Sequence, residues 1–223
     1  MYEPRTAQSS IRPGLRPGLT LLHRPSRRST ALHRLVVDQL ATATGESYWV
    51  DATNDASTYA LYDLAPHSRT LSDVQVARAF TAYQHHSLVA DLTRRVDEST
   101  SLVVVPAVES LYRDDDVPPD EGETLLASSL ARLADLGRTF DVPVLATTTG
   151  EATTVAAHAD AEIECTRTSQ GFRYETDSFA TTLYLDDGHW QTTIPYWVEL
   201  FGAVSEADPF AVDCRADALG LEV

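Results

Sequence analysis

A cluster of arginine and hydroxyl side chains follows the first apolar run of the chain, residues 19–22, and precedes a helical spacing of apolar residues that begins at Leu32. A loop between a strand and a helix is a common phosphate-binding position, because helix N-terminal N–H groups and guanidinium groups both favour anions. We therefore predict a nucleotide- or anion-binding loop, of degenerate form, that contains Arg24, Ser26, Arg27, Arg28, Ser29 and Thr30.

The loop lacks the residues that phosphate loops ordinarily use. Glycines let backbone N–H groups face the phosphates, and a lysine reaches the terminal phosphates. Residues 23–30 include no glycine, and the whole chain contains no lysine. The loop is therefore either a lost nucleotide site or one rebuilt around arginine. In the alternative interpretation the arginines are solvated, or pair with the protein's own carboxylates.

The composition limits the partners. The chain has 223 residues and a net charge of −16, and all 17 basic residues are arginine. An acidic chain without lysine indicates a halophilic source, where surface carboxylates keep a protein hydrated. Binding to a nucleic-acid backbone needs a basic surface, so any DNA contact is expected to be weak and confined to a local arginine cluster.

The location in the cell is predicted from what the sequence lacks. Cys165 and Cys214 are the only cysteines and form no disulfide framework. No signal-peptide pattern and no apolar run of membrane-spanning length is visible. We expect a cytoplasmic protein without membrane contact.

Strand and helix patterns alternate through the first part of the chain. They predict strands at residues 19–23, 47–50, 74–79, 101–105 and 142–146, and helices at 30–44, 87–98 and 125–140. A short helix is possible near residues 59–64, and residues 113–123 are predicted to be a loop. This alternation predicts an α/β fold with a mostly parallel central sheet flanked by helices.

The pattern changes near the C-terminus. Residues 162–168, 172–176, 181–185 and 190–198 predict antiparallel strands, with a turn at Asp187-Gly188. We expect a flexible N-terminus at residues 1–12, one domain at 13–201 with a C-terminal antiparallel β extension, and an acidic tail at 202–223.

Three stretches, taken in order, resemble the RecA/RadA recombinase family. Residues 74–80 (VQVARAF) with residues 84–89 are similar to an archaeal RadA strand and the helix after it. Residues 101–113 resemble the family's Walker B strand and its Ser/Thr-rich continuation, and residues 130–144 resemble the helix and strand before its "TNQ" motif. The resemblance covers about residues 14–200 and implies a RecA-like P-loop NTPase fold.

The departures from the family fall on its catalytic elements. Arg28 or Ser29 stands at the loop lysine, Pro106 at the Walker B carboxylate, and Thr53 at the glutamate that polarises water. The sequence Thr147-Thr148-Thr149 replaces "TNQ". Phosphoryl transfer depends on positioned cations and donors. These departures from the family therefore predict that ATP hydrolysis is lost. We expect no cofactor, although residual ATP binding is possible.

The resemblance implies a catalytically inactive RecA/RadA-like paralogue that binds or regulates partners in DNA recombination, repair or replication. The expected partner is a protein, such as a recombinase, a polymerase or another repair factor, and a homo-oligomer is possible. The alternatives are an NTPase with a rebuilt arginine loop and a DNA-binding recombination mediator.

Other candidate residues have structural roles as alternatives to functional ones. Asp51 and Glu109 are possible residual carboxylates of the site, or loop carboxylates. The adjacent pair His85 and His86 is predicted to cap or pack a helix rather than bind metal. Acidic loop residues and aromatic residues that could stack on bases are expected to be solvated or packed: Asp114, Asp115, Asp116, Tyr83, Trp190, Tyr196 and Trp197. No metal site is predicted.

Overall fold

The apolar runs form the strands of one sheet. The computed structural model describes residues 13–192 except 151, 169–170, 178, 187 and 188, with side chains as far as Asp177. The strands, in chain order, are β1 Gly18–His23, β2 Ser47–Asp51, β3 Val74–Arg78, β4 Leu102–Val105, β5 Pro143–Thr147, β6 Ala161–Thr168, β7 Gly171–Thr176, β8 Phe179–Asp186 and β9 His189–Thr192.

The sheet combines a parallel part and an antiparallel part. Its nine strands lie in the order β3-β2-β4-β5-β1-β6-β7-β8-β9. All pairs from β3 to β6 in this order are parallel, and β7, β8 and β9 extend the sheet by antiparallel pairing. The predicted α/β fold with a mostly parallel sheet and a C-terminal antiparallel extension is therefore confirmed. The predicted turn at 187–188 and the strand beyond residue 192 lie outside the described residues.

Helices cover both faces of the parallel strands. They are α1 Ala31–Thr42, α2 Thr58–Leu64, α3 Ala82–Arg95, α4 Pro119–Thr139 and the short α5 Thr153–Ala156, with 3₁₀ helices at Ser68–Leu71 and Ser110–Arg113.

Two helix starts differ from the sequence prediction. Helix α3 begins at Ala82 rather than at residue 87, because the Thr81 hydroxyl caps it by accepting a hydrogen bond from Gln84 N at 3.2 Å. Helix α4 begins at Pro119, inside the predicted loop. Proline suits the first turn of a helix, and Asp120 and Glu121 there favour the positive end of the helix dipole.

Alternating side chains of the strands build two apolar cores. Leu21 and Val103 pack with α3 and α4 on one face, whereas Leu22 and Trp49 pack with α1 and α2 on the other. Tyr174 of β7 also packs in the second core, so the antiparallel extension is anchored beside α1. Both faces of the central strands β1, β2, β4 and β5 are covered, which explains the continuous apolar runs of β4 and β5.

The parallel strands bring the loops after β1, β2, β4 and β5 to one edge of the sheet, where ligands of open α/β sheets ordinarily bind. All described residues belong to one compact unit that ends at Thr192. The predicted domain boundary at residue 201 lies outside them. Within the described part of the chain, no helix combines the length and the apolar composition needed to cross a bilayer.

Candidate functional site

A buried ion pair joins the loop after β1 to the loop after β2. The side chains of Arg24 and Asp55 are 2% and 8% exposed. Two guanidinium nitrogens of Arg24 donate to the two carboxylate oxygens of Asp55 at 3.3 and 3.4 Å. The same guanidinium donates to the carbonyl of Arg27 at 3.3 Å, and the Thr53 hydroxyl donates to Asp55 at 2.7 Å. The first arginine of the loop is therefore neutralised by the protein's own carboxylate.

Two further contacts hold these loops together. The guanidinium of Arg27 donates to the carbonyl oxygen of Thr53. His33 on α1 contacts the carbonyl oxygen of Asp55 through Nε2 at 2.8 Å. Burial lowers the pKa of His33, so a neutral imidazole that donates from Nε2 fits this position.

The hydroxyl residues of the loop serve its own backbone and helix α1. Ser29 N donates to the carbonyl of Ser26 at 3.0 Å, and the Ser29 hydroxyl accepts from Ala31 N at 3.2 Å. The Thr30 hydroxyl accepts from the guanidinium of Arg34 at 3.2 Å. Among the described residues Arg28 is exposed and has neither an ion pair nor a hydrogen bond. Arg27 is also exposed and donates only to an uncharged carbonyl oxygen, so Arg27 and Arg28 are the loop arginines without an ion pair in that region.

Asp51 stabilises the turn that follows β2. Its side chain is fully buried, and its two oxygens accept from the backbone N–H groups of Thr53, Asp55 and Ala56 at 3.3, 2.9 and 3.1 Å. The half-exposed guanidinium of Arg78 lies 3.7 Å away. Asp51 therefore serves as the acceptor for the backbone N–H groups of the turn after β2.

Glu109 has a similar role between the loops after β4 and β5. It is 1% exposed, and its Oε1 accepts from the N–H groups of Thr149 and Gly150 at 2.5 and 2.9 Å. Its Oε2 is buried without a hydrogen-bond partner among the described residues. The Thr147 hydroxyl accepts from Ala107 N at 3.0 Å in the same region. Glu109, Ala107, Thr147 and Thr149 thus belong to a hydrogen-bond network that holds the loops after β4 and β5 together.

His85 and His86 belong to a chain of hydrogen bonds between helices. His85 Nδ1 lies 2.7 Å from the Tyr112 hydroxyl, which lies 2.8 Å from the Ser129 hydroxyl. His86 Nδ1 lies 2.9 Å from the same Ser129 hydroxyl. His85 is completely buried, and burial lowers its pKa to about 4. The pair packs a helix, as predicted, and no group of three or more His, Cys, Asp or Glu side chains in the described region could hold a metal ion.

Each of the remaining candidate residues has its own surroundings. Asp114, Asp115 and Asp116 are exposed between the second 3₁₀ helix and α4. Tyr83 is half-exposed and donates its hydroxyl to Glu121 at 3.0 Å. Cys165 is buried, which raises the pKa of its thiol to about 12 and leaves it protonated. No side chain is described for Trp190, and Tyr196, Trp197 and Cys214 lie outside the described residues.

The sequence alone did not predict which residues form hydrogen bonds or ion pairs with these candidate residues. Asp55 lies 31 residues from Arg24, and Ser129 lies 43 residues from His86. The only available signal for Asp55 was its position four residues after a strand end, on the edge where β1 also ends. Pairing across such distances depends on the strand order, which local patterns do not give.

Comparisons with known proteins give no further assignment. The chain matches neither a protein-family model nor a curated protein. Functional inference therefore depends on the geometry of this site and on the resemblance of its motifs.

We predict that Asp55→Asn destabilises the protein by about 3 kcal/mol, because it leaves the buried Arg24 guanidinium without its anion. The matched control is Asp91→Asn, which removes an ion pair with Arg94 whose side chains are 39% and 72% exposed. The control should cost less than about 1 kcal/mol. Urea unfolding measures both variants, and equal losses would contradict the structural importance assigned to Asp55.

We also predict a loss of stability in mild acid. The pKa of His85 falls from 6.5 to about 4 on folding, so the unfolded chain binds more protons between these values. Its contribution is complete above about pH 6.5 and decreases by about 3 kcal/mol as the pH falls towards 4. The lowered pKa of His33 acts in the same direction.

Unfolding measured across this pH range tests the assignment to His85. His85→Asn should be less stable at neutral pH but should show a smaller loss in acid. His67→Asn, at an exposed position, should retain the slope of the unchanged protein. A slope unaltered in His85→Asn would show that other groups cause the acid sensitivity.

Proposed function

We propose that this chain is a RecA/RadA-like paralogue without ATPase activity, acting as a protein-binding or regulatory factor in DNA recombination, repair or replication. The observation that carries the proposal is the Arg24–Asp55 pair, which places a carboxylate on the loop arginine that a phosphate would need. The order of the resembling motifs, and their convergence on one edge of a mostly parallel sheet, support the RecA-like assignment.

The geometry argues against phosphoryl transfer. Nucleotide phosphates would have to displace Asp55, which is tethered close to Arg24 and also accepts from Thr53. The two other candidate carboxylates, Asp51 and Glu109, accept hydrogen bonds from backbone N–H groups. Because catalysis of this reaction relies on cations and donors aimed at the phosphates, the described residues offer too few of them.

The edge strand β3 supports a binding role. It is the first strand of the sheet order and, in the part of the chain that the structure describes, pairs only with β2. Val76 on this strand and Phe80 just after it are 47% and 77% exposed. An edge with unpaired backbone groups can accept an added strand, and exposed apolar side chains beside it give the contact specificity. We assign this edge to an extended segment of a partner recombinase.

The two alternative functions, an NTPase and a DNA-binding mediator, depend on different arginines. An NTPase rebuilt around arginine would depend chiefly on Arg28, which is exposed and has no ion pair among the described residues. A DNA-binding mediator would need the whole cluster, but Arg24 is buried in its ion pair with Asp55. The DNA-binding alternative is therefore the weaker of the two.

We predict that titration calorimetry at high salt detects no binding of ATP at millimolar concentration, with or without Mg²⁺. Arg28→Ala and the exposed control Arg69→Ala should then behave like the unchanged protein. Micromolar binding that is lost in Arg28→Ala, but kept in Arg69→Ala, would overturn the proposal in favour of a rebuilt nucleotide site.

We predict that the purified recombinase of the same cell binds this protein through β3. Val76→Arg should weaken that binding at least about tenfold, or about 1.4 kcal/mol, because it places a charge against an added apolar strand. The control Tyr59→Ser changes another exposed residue, 84% accessible on α2, and should leave affinity unchanged. Equal binding by all three proteins would exclude the β3 edge, and no binding by the unchanged protein would exclude the recombinase as partner.

A further inference from the structure

A cavity of about 400 Å³ lies beside the first turns of α4. Its lining combines the second 3₁₀ helix, the loop that leads to α4, the start of α4 and the short helix α5. Tyr112, Val117, Pro119 and Leu126 contribute its apolar walls, and Thr154 of α5 also lines it. Ligand pockets have volumes of about 300–1,000 Å³, so this cavity is large enough for one or two bulky apolar side chains.

The walls of the cavity are held in place by close contacts behind them. The Tyr112 hydroxyl lies 2.7 Å from His85 Nδ1 and 2.8 Å from the Ser129 hydroxyl. At Gly122, an added Cβ atom would lie 2.1 Å from the carbonyl oxygen of Tyr112, so α4 packs on the 3₁₀ helix at a distance that only glycine permits. The cavity is therefore formed before any ligand arrives, which reduces the entropic cost of binding.

The rim of the cavity is strongly acidic. Asp114, Asp115 and Glu123 line it and are exposed, and Arg113 is the one basic residue of the lining. The surrounding stretch, residues 113–123, contains six carboxylates and one arginine. Within the region that the structure describes, none of these six carboxylates forms an ion pair. The rim is therefore open to cationic groups of a ligand.

The arrangement fits an extended basic protein segment better than other ligands. A nucleic acid has the same sign of charge as the rim, and a second copy of a chain with a net charge of −16 is repelled. A single ammonium or guanidinium group would meet only one of several unpaired carboxylates. A segment with several cations can pair with more than one, and an apolar side chain between them would leave water in the cavity.

We propose that this cavity and its rim, together called the acidic docking cavity, bind an extended segment of a protein partner that has arginine or lysine residues on both sides of one large apolar side chain. The apolar side chain enters between the cavity walls. The basic side chains contact Asp114, Asp115 and Glu123. The acidic docking cavity is a different surface from the edge strand β3, so this inference is independent of the proposed function.

Fluorescence anisotropy with a labelled synthetic peptide tests the proposal. The probe peptide, Gly-Arg-Arg-Leu-Gly-Arg-Arg-Gly, is titrated with the whole protein at about 1 M salt, where a screening length of about 3 Å suppresses unspecific attraction to an acidic protein. We expect saturable binding with a Kd below about 1 mM, and at least about tenfold weaker binding when serine replaces the leucine of the peptide. Absence of binding at that concentration, or equal binding of the serine peptide, would overturn the proposal.

Matched variants assign the binding to the acidic docking cavity. Thr154→Trp obstructs the cavity, whereas Thr153→Trp makes the same change at the exposed neighbour outside the lining. Asp115→Arg reverses one charge of the rim, and Asp63→Arg reverses an exposed charge on α2. Each cavity variant should weaken binding at least about tenfold, and each control less than about twofold. Asp115 is exposed, so its variant keeps the test decisive if Thr154→Trp does not fold. Equal affinities of Asp115→Arg and Asp63→Arg would contradict the assignment.

Two other occupants of the cavity would give different results. If the first residues of the same chain filled it, the double variant Arg5→Glu/Arg12→Glu would bind the probe peptide more tightly than the unchanged protein. If a second copy filled it, sedimentation would show a dimer that the peptide dissociates. Either result would overturn the proposal of a separate protein partner.

Discussion

A buried charge must have a partner, and in this protein that requirement determines the state of the loop after β1. The Arg24 guanidinium is nearly inaccessible and pairs with Asp55 through both of its terminal nitrogens. A dissolved phosphate would have to replace a carboxylate that is held in place by the fold, and a tethered group competes at a high effective concentration. Displacement would also leave Asp55 buried without its cation, which is strongly unfavourable. The pair therefore stabilises the ligand-free form of the loop.

Other buried carboxylates along this edge of the sheet also accept hydrogen bonds from the protein's own backbone. Asp51 satisfies three backbone N–H groups in the turn after β2. Glu109 satisfies two in the turn after β5. In an enzyme of the resembling family, groups at this edge would face a nucleotide and its metal ion. Here they accept hydrogen bonds from neighbouring loops, so these carboxylates stabilise the edge of the sheet in the absence of a ligand.

The sequence was sufficient to predict the strands but not the contacts between loops. Strands β4 and β5 were recognisable because burial on both faces produces uninterrupted apolar runs. The hairpins near residues 162–185 were recognisable from their β-rich sequences between turn residues. The start of α3 was missed because Tyr83, Gln84 and two histidines obscure its apolar spacing. The partner of Arg24 was not predictable, because Asp51, Thr53 and Asp55 were equally available carboxylate or hydroxyl residues until the backbone after β2 was known.

The exposed edge of strand β3 is subject to a different physical constraint from the buried Arg24–Asp55 pair. An acidic surface suppresses association by mutual repulsion, and yet β3 presents Val76 and is followed by the exposed Phe80. Its own charged residue, Arg78, lies near Asp51 at the end of the strand, so the middle of the edge has little charge to prevent strand addition. Repulsion between two copies of so acidic a chain opposes pairing of this edge with itself, whereas a less acidic partner would not meet that barrier. The combination of a general acidic surface and a local apolar edge is consistent with the hetero-complex that we propose.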